Sequence, residues 1–430
     1  MNLLSQNSLI KKSDYDKAFE KLLPYIQTLK KVAKNAGDEI SYEEHESTIN
    51  LPFDEKMVRE VLTVRDKMST DRLKYFVNIG IGGSKLGAKA VYDALLGHFD
   101  VIEPDRFPKL IFLDTADSEF LYKFTNLVKQ IEDPRDIVIN VVTKSGTTTE
   151  TLTNLEILAG IFPQINERLV ITTDKDSKLW KAANEKGLVN LLEIEKNVGG
   201  RYSVFSPGGL FPLASAGIDV FELLEGAMEA RQQGLETSLE KNLSAVSAIS
   251  AYLNYLNGKI INDTFVFLPK LESLGKWYRQ LLGESLGKDR LGITPTTSVG
   301  SSDLHSVEQL YIGGPKDKFF NFVWADPRES VKISDRPYFP LDTNLKNKTA
   351  GDIMKAIYKG VTLTYIEEGI PFVEVDLGKI GERSLGYFMQ FKMIEMLFLG
   401  RLTGVNAFDQ PDVESYKAKT REILSGKTSK

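Results

Sequence analysis

The sequence predicts an α/β protein made of two halves, each with a parallel sheet flanked by helices. Three observations carry this. Short apolar runs recur with room for a helix between them, which is the texture of βαβ units whose sheets are covered on both faces. That alternation occurs twice, on either side of a helical stretch at 217–258. The length, 430 residues, exceeds what one ordinary core supports.

The elements follow in order. Residues 14–36 read as a helix with Tyr15, Phe19, Leu22, Leu23 and Tyr25 on its apolar side, and a second helical pattern covers 53–70. Apolar runs at 75–80, 109–114, 136–142 and 168–173 read as strands, each trailed by a helix-like stretch. Within 217–258, Ala245, Ile249, Tyr252 and Leu253 form a stripe at helical spacing. Strands are expected again at 264–268, 319–323 and 371–375, and helices at 273–288, 303–311, 350–367 and 381–402. The last of these carries Leu385, Phe388, Met389, Ile394, Leu397 and Phe398, so it is expected to be buried. The organisation is then an N-terminal helical segment at 1–70, a first α/β domain at 71–215, a helical connector at 216–258, a second α/β domain at 259–403, and a C-terminal loop and helix at 404–430.

Composition excludes several classes of function. With 54 Lys and Arg against 59 Asp and Glu, the net charge is −5, so the chain offers no global cationic field for nucleic acid or anionic lipid. A local basic pocket for a small anion stays compatible. There is no cysteine, hence no disulfide, thiolate metal site or cysteine nucleophile. The histidines are His45, His98 and His305, and their spacing matches no zinc motif. No metal and no cofactor are expected. The start lacks the basic and apolar regions of a signal peptide, and the most apolar region, 207–224, is broken by Pro207, Pro212 and Asp219. A soluble, cytoplasmic protein with no membrane partner is expected.

Six segments carry chemistry. In Gly80-Ile81-Gly82-Gly83-Ser84-Lys85-Leu86-Gly87, glycines lie between a strand and a helix start, where backbone donors can approach an anion. Lys85 breaks the dinucleotide fingerprint and Ala88 breaks the P-loop. A tight strand–helix turn and a sugar or phosphate contact both stay open. In Thr143-Lys144-Ser145-Gly146-Thr147-Thr148-Thr149-Glu150, five hydroxyls and a lysine precede a helix, which suits a phosphate dianion. The competing reading is a capping box between Thr147 and Glu150. Arg201, after Gly199 and Gly200, could stabilise an oxyanion, but read alone it is a solvated surface arginine. On the helix at 273–288, Trp277, Gln280 and Glu284 share a face beside Leu281 and Leu282. A carboxylate at an apolar edge suits a general base, against a plain amphipathic helix as the simpler reading. His305 falls in the first turn of a helix for which Ser302 is the expected N-cap. It is a proton carrier or a surface histidine. Finally, Gln410 precedes Pro411, which suits a helix start, and Val413, Tyr416, Thr420 and Ile423 are expected to form a buried stripe bordered by Lys417. His45, in a run of glutamates, and His98, at a helix end, receive no function.

Together, and in this order, the six segments resemble the phosphoglucose isomerase family, in its compact bacterial form. The resemblance runs from about residue 75 to 417. It implies two sugar-isomerase (SIS-type) domains, with the 404–430 segment completing the active site. It implies reversible interconversion of glucose 6-phosphate and fructose 6-phosphate through ring opening and a cis-enediolate, without a cofactor. Residue by residue it implies sugar contacts at Gly83 and Ser84, and a phosphate cradle of Thr143, Lys144, Ser145 and Thr148. Arg201 is implied as the enediolate stabiliser, Gln280 and Gln410 as substrate contacts, and Glu284 as the base. His305 and Lys417 are the implied ring-opening pair. Thr143 stands where many members have serine, and Gly146 where many have an aromatic. The resemblance further implies a homodimer with shared active sites, each histidine coming from the neighbouring subunit. Two other readings are an isomerase that also accepts mannose 6-phosphate and a non-catalytic sugar-phosphate-binding regulator. The regulator would need the cradle but not Glu284, His305 and Lys417.

Overall fold

The twofold βαβ alternation is realised. The computed structural model describes residues 1–36, 40–335, 338–339 and 345–426. Strand β1 (Asn2–Leu4) and helices α1 (Lys12–Lys34) and α2 (Glu55–Met68) come first. The first alternation is β2 (Tyr75–Ile79), α3 (Gly83–Leu95), β3 (Lys109–Leu113), α4 (Ser118–Lys129), β4 (Ile137–Val142), α5 (Thr149–Ala159), α6 (Ile165–Arg168), β5 (Leu169–Thr173), α7 (Lys178–Glu185) and β6 (Leu191–Glu193). Helices α8 (Pro207–Ser215), α9 (Val220–Gly234) and α10 (Leu243–Leu256) link it to the second. That comprises β7 (Ile261–Val266), α11 (Glu272–Leu286), β8 (Thr294–Val299), α12 (Glu308–Gly313), β9 (Lys318–Asp326), α13 (Ala350–Glu367), β10 (Phe372–Lys379) and α14 (Glu382–Thr403). Helix α15 (Glu414–Leu424) follows. Among the described residues no helix is long and apolar enough to cross a membrane.

The first sheet has the order β3-β2-β4-β5-β6 and is parallel throughout. Its central strand β4 is buried along its whole length, as a strand covered on both faces must be. The second sheet has the order β1-β10-β9-β7-β8. It too is parallel, except that β1 runs antiparallel to β10. The largest core draws on both halves and on the connecting helices, and each sheet has a smaller core of its own, one aliphatic-rich and one aromatic-rich.

Helix α14 runs through that shared core, buried without a break from Leu385 to Gly400. It touches α9 backbone to backbone. A Cβ on Gly386 would lie 1.8 Å from the Leu223 carbonyl oxygen, and one on Gly226 would lie 1.9 Å from that of Arg383. Neither carbonyl can move without breaking its helix. Gly386→Ala is therefore expected to destabilise the fold by about 3 kcal/mol, read as a lower denaturation midpoint with unchanged slope.

Four expectations need correction. Strands β1, β6 and β8 went unpredicted: two are three residues long, and β8 is a hydroxyl-rich run containing Pro295. The helix expected at 303–311 is a 3-10 turn, Ser302–His305, followed by the separate α12; its N-cap is Ser301, with no side-chain capping bond, and Ser302 lies inside the turn. The capping box of Thr147 and Glu150 does not form, because Thr148 is the N-cap and its hydroxyl is turned elsewhere. The stripe expected to be buried on α15 is not: Tyr416 is 56% and Ile423 66% exposed. Its spacing is helical, but no element among the described residues covers that face.

Candidate active site

The glycine loop after β2 is shaped by contact. Gly82 has φ +59°, the left-handed region that favours glycine. A Cβ on Gly83 would sit 2.1 Å from the Gly200 carbonyl carbon. The loop thus packs directly on the turn that carries Arg201. Ser84, half-buried, stands in the first turn of α3.

The second loop gathers hydroxyls after β4. Thr143 Oγ1 lies 2.9 Å from Thr148 Oγ1, Ser145 Oγ lies 3.4 Å from the same atom, and Thr147 Oγ1 donates to Ser145 Oγ at 3.3 Å. Gly146 makes the bend with φ +64°. With no side-chain cap on α5, its first-turn N–H groups stay open to an outside acceptor. Beside them Lys144 is half-buried without an ion pair among the described residues. Burial pushes its pKa down; Asp174 opposes this and the Arg201 charge adds to it. Two cations near one uncapped helix end favour an anion.

Arg201 is not the surface arginine that its local sequence suggests; it is 2% exposed. Its guanidinium donates to Ser285 Oγ at 2.9 Å, Gln410 Oε1 at 2.6 Å, the Ala407 carbonyl at 2.6 Å and the Asp409 carbonyl at 3.1 Å. Nη1 also reaches Glu284 Oε2 at 3.5 Å. Glu284 is half-buried on α11, and its Oε1 accepts from Gln280 Nε2 at 3.0 Å. Gln280 Oε1 is buried and accepts no hydrogen bond among the described residues.

The loop after α14 closes this arrangement. Lys288, which sequence reasoning passed over, is buried; it donates to the carbonyls of Ser285 and Asn406 and pairs with Asp409 at 2.8 Å. Tyr202 bonds the Ala407 carbonyl at 3.1 Å and packs on Phe408. His45 stacks on the same Phe408, 5.2 Å between centroids, although it is exposed. Local sequence held no signal for these, since their partners at 406–409 lie far along the chain.

Gly83, Arg201, Gln280, Glu284 and Gln410 therefore meet in one place, with Lys144 within electrostatic reach. His305 and Lys417 are not brought to it by any hydrogen bond or ion pair among the described residues. His305 is exposed at the end of its 3-10 turn. Lys417 does not reach inward; it pairs with Glu414 at 2.7 Å on α15, which has no buried residue.

The family profile described as Phosphoglucose isomerase matches residues 56–302, more than half of the chain. The chain belongs to the phosphoglucose isomerase family. The match takes in both loops, Arg201, Gln280 and Glu284. Among phosphoglucose isomerase relatives, the glucose-6-phosphate isomerase of Rubrobacter xylanophilus is 33% identical over 383 residues, covering 86% of this chain and 87% of its own. That of Streptococcus equi subsp. zooepidemicus is 33% identical over 387 residues, covering 86% and 84%. Of solved structures, a hypothetical protein of Thermus thermophilus superposes with TM-score 0.84 at 32% identity, over 98% of this chain and 99% of that one. A glucose-6-phosphate isomerase of Chlamydia trachomatis shares the phosphoglucose isomerase fold at TM-score 0.81 and 18% identity, over 98% and 88%.

Proposed function

We infer that the chain interconverts glucose 6-phosphate and fructose 6-phosphate as an aldose–ketose isomerase. The observation that carries the chemistry is the buried Arg201 guanidinium beside the Glu284 carboxylate, at a point where the two halves meet. A coupled assay of fructose 6-phosphate conversion tests it. Tight binding of the sugar phosphate without turnover would instead support a binding protein.

In this reading the Thr143, Ser145 and Thr148 hydroxyls, the α5 N-terminus and Lys144 hold the phosphate. His305 and Lys417 move the proton that opens the ring. Glu284 takes the C2 proton of the open-chain sugar and returns it to C1. Gln280 holds one oxygen of that carboxylate, so the base keeps one orientation. Arg201 and Gln410 face the negative charge that grows on the enediolate oxygens. Ser84 and the Gly83 amide contact the sugar. The proton shift moves no electron to or from the substrate overall, so isomerisation is redox-neutral. A cytoplasmic setting belongs to the same reading, and the cysteine-free sequence is compatible with it.

The working unit in this reading is a homodimer whose sites combine Glu284 of one chain with His305 of the other. His305, exposed and without a side-chain hydrogen bond among the described residues, supports it. Glu284→Ala and His305→Ala homodimers are each expected to be inactive. After joint unfolding and refolding, a mixed dimer holds one site with both lesions and one with none, so activity should return to roughly a quarter of wild type for a twofold assembly. No recovery after verified subunit exchange would place both groups in one chain.

A further inference from the structure

Asp263 lies on β7 with no exposed surface. Its Oδ2 accepts from Thr296 Oγ1 at 2.5 Å, Ser298 Oγ at 3.0 Å and Tyr311 OH at 3.1 Å. Its Oδ1 is buried and accepts nothing among the described residues. The titratable groups that face it are Asp303, Glu308, Tyr311 and Tyr365, and none is a cation. Burial raises its pKa to about 6, against the pull of the three hydroxyls and with Asp303 adding to the rise. A folded-state pKa above the unfolded value means that the stabilising contribution is complete below the unfolded pKa and is lost as pH rises through about 6. At neutral pH this charge works against folding.

What the carboxylate does is join two elements. Thr296 and Ser298 belong to β8 and Tyr311 to α12, and these bracket the segment that carries His305. Ser298 Oγ and Tyr311 OH lie 3.0 Å apart, side by side on the carboxylate oxygen to which both donate. At the near end of the segment, Asp303 Oδ2 accepts from the Val299 amide at 2.7 Å and Oδ1 from Ser306 Oγ at 2.9 Å. The His305 side chain makes no hydrogen bond of its own among the described residues. Its direction is set by its backbone, tethered at Asp303 on one side and at Tyr311 on the other. Only an ionised carboxylate accepts three hydroxyls without needing an acceptor itself.

We propose that Asp263 is a positioning residue for His305, pinning Tyr311 to β8 so that the imidazole is aimed at the ring oxygen of the substrate. This rests on the ring-opening role given to His305 above. The test measures anomerisation of glucose 6-phosphate, which reports ring opening without chemistry at C2, together with kcat and KM. Asp263→Asn and Tyr311→Phe are each expected to slow anomerisation and kcat about tenfold through misplacement of the imidazole. KM should stay within about twofold. Neither change should cost anything further in a His305→Ala background, because a group that acts only through His305 has nothing left to position. Wild-type anomerisation in both variants overturns the proposal. So do losses that add in full to those of His305→Ala, since these mark a general structural effect. Should His305→Ala itself anomerise at the wild-type rate, the ring-opening reading falls first and the proposal with it. If Asp263→Asn does not fold, Tyr311→Phe, which leaves the carboxylate in place, decides by the same measures.

Discussion

Replacing Glu284 with glutamine should abolish isomerisation, by at least about a hundredfold in kcat, and leave ring opening intact. The amide is nearly isosteric with the carboxylate, so α11 keeps its packing. Its single oxygen can still accept from Gln280 or from Arg201, but not from both as the carboxylate does now at 3.0 and 3.5 Å. Arg201 has four other acceptors, which keep it in place. The loss is therefore chemical rather than structural, and the melting temperature should barely move. Incorporation of solvent deuterium at C2 decides the matter. Near-normal exchange in the variant would remove Glu284 from the role of base.

Arg201→Lys should be nearly as damaging, lowering kcat by about a hundredfold or more, as removal of a preorganised oxyanion donor does. The charge is kept but the fork is lost. One ammonium cannot serve Ser285, Gln410 and the carbonyls of Ala407 and Asp409 in their fixed directions. The Ala407 carbonyl keeps the Tyr202 hydroxyl as a donor, so the loss falls on the Ser285, Gln410 and Asp409 contacts, at about 0.5–1.5 kcal/mol for each hydrogen bond removed, and stability falls together with activity. Lys288 still holds the loop through Asp409 and the Asn406 carbonyl, which limits the damage to the site. Steady-state kinetics with a thermal melt measures both effects. A kcat within threefold of wild type would mean that charge alone suffices at this position.

The contrast between Glu284 and Arg201 marks what the sequence makes legible. Gln280 and Glu284 lie one turn apart on a strongly patterned helix, so their neighbourhood follows from helical geometry. The strands β2, β4, β5, β7 and β9 were readable for a similar reason: strands covered on both faces read as apolar runs. Arg201 looked like a surface residue because every group its side chain hydrogen-bonds lies at least some 80 positions away. Nothing local records a contact with residues 407–410. The same limit hid Lys288 and the stacking of His45 on Phe408. On α15 the failure ran the other way. The periodicity of Val413, Tyr416, Thr420 and Ile423 was real, but periodicity names only the face that would be covered, not the surface to cover it. The family resemblance reached Arg201 and Gln410 where local patterning did not.

The antiparallel pairing of β1 with β10 sets a timetable for synthesis. Leu4 bonds opposite Glu374, about 370 residues later. A chain leaving the ribosome at 5–20 residues per second must carry its first strand without a partner for roughly 20 to 75 s. Until then Leu3, buried in the finished protein, lacks the cover that β10 gives it. Once β10 emerges, β1 covers an edge that would otherwise offer open amides and carbonyls to other chains. Strand β1 thus acts as the last stitch of the second half. Deleting Asn2–Leu4 would be felt at the far end of the molecule, as an adhesive sheet edge and a loss of soluble yield.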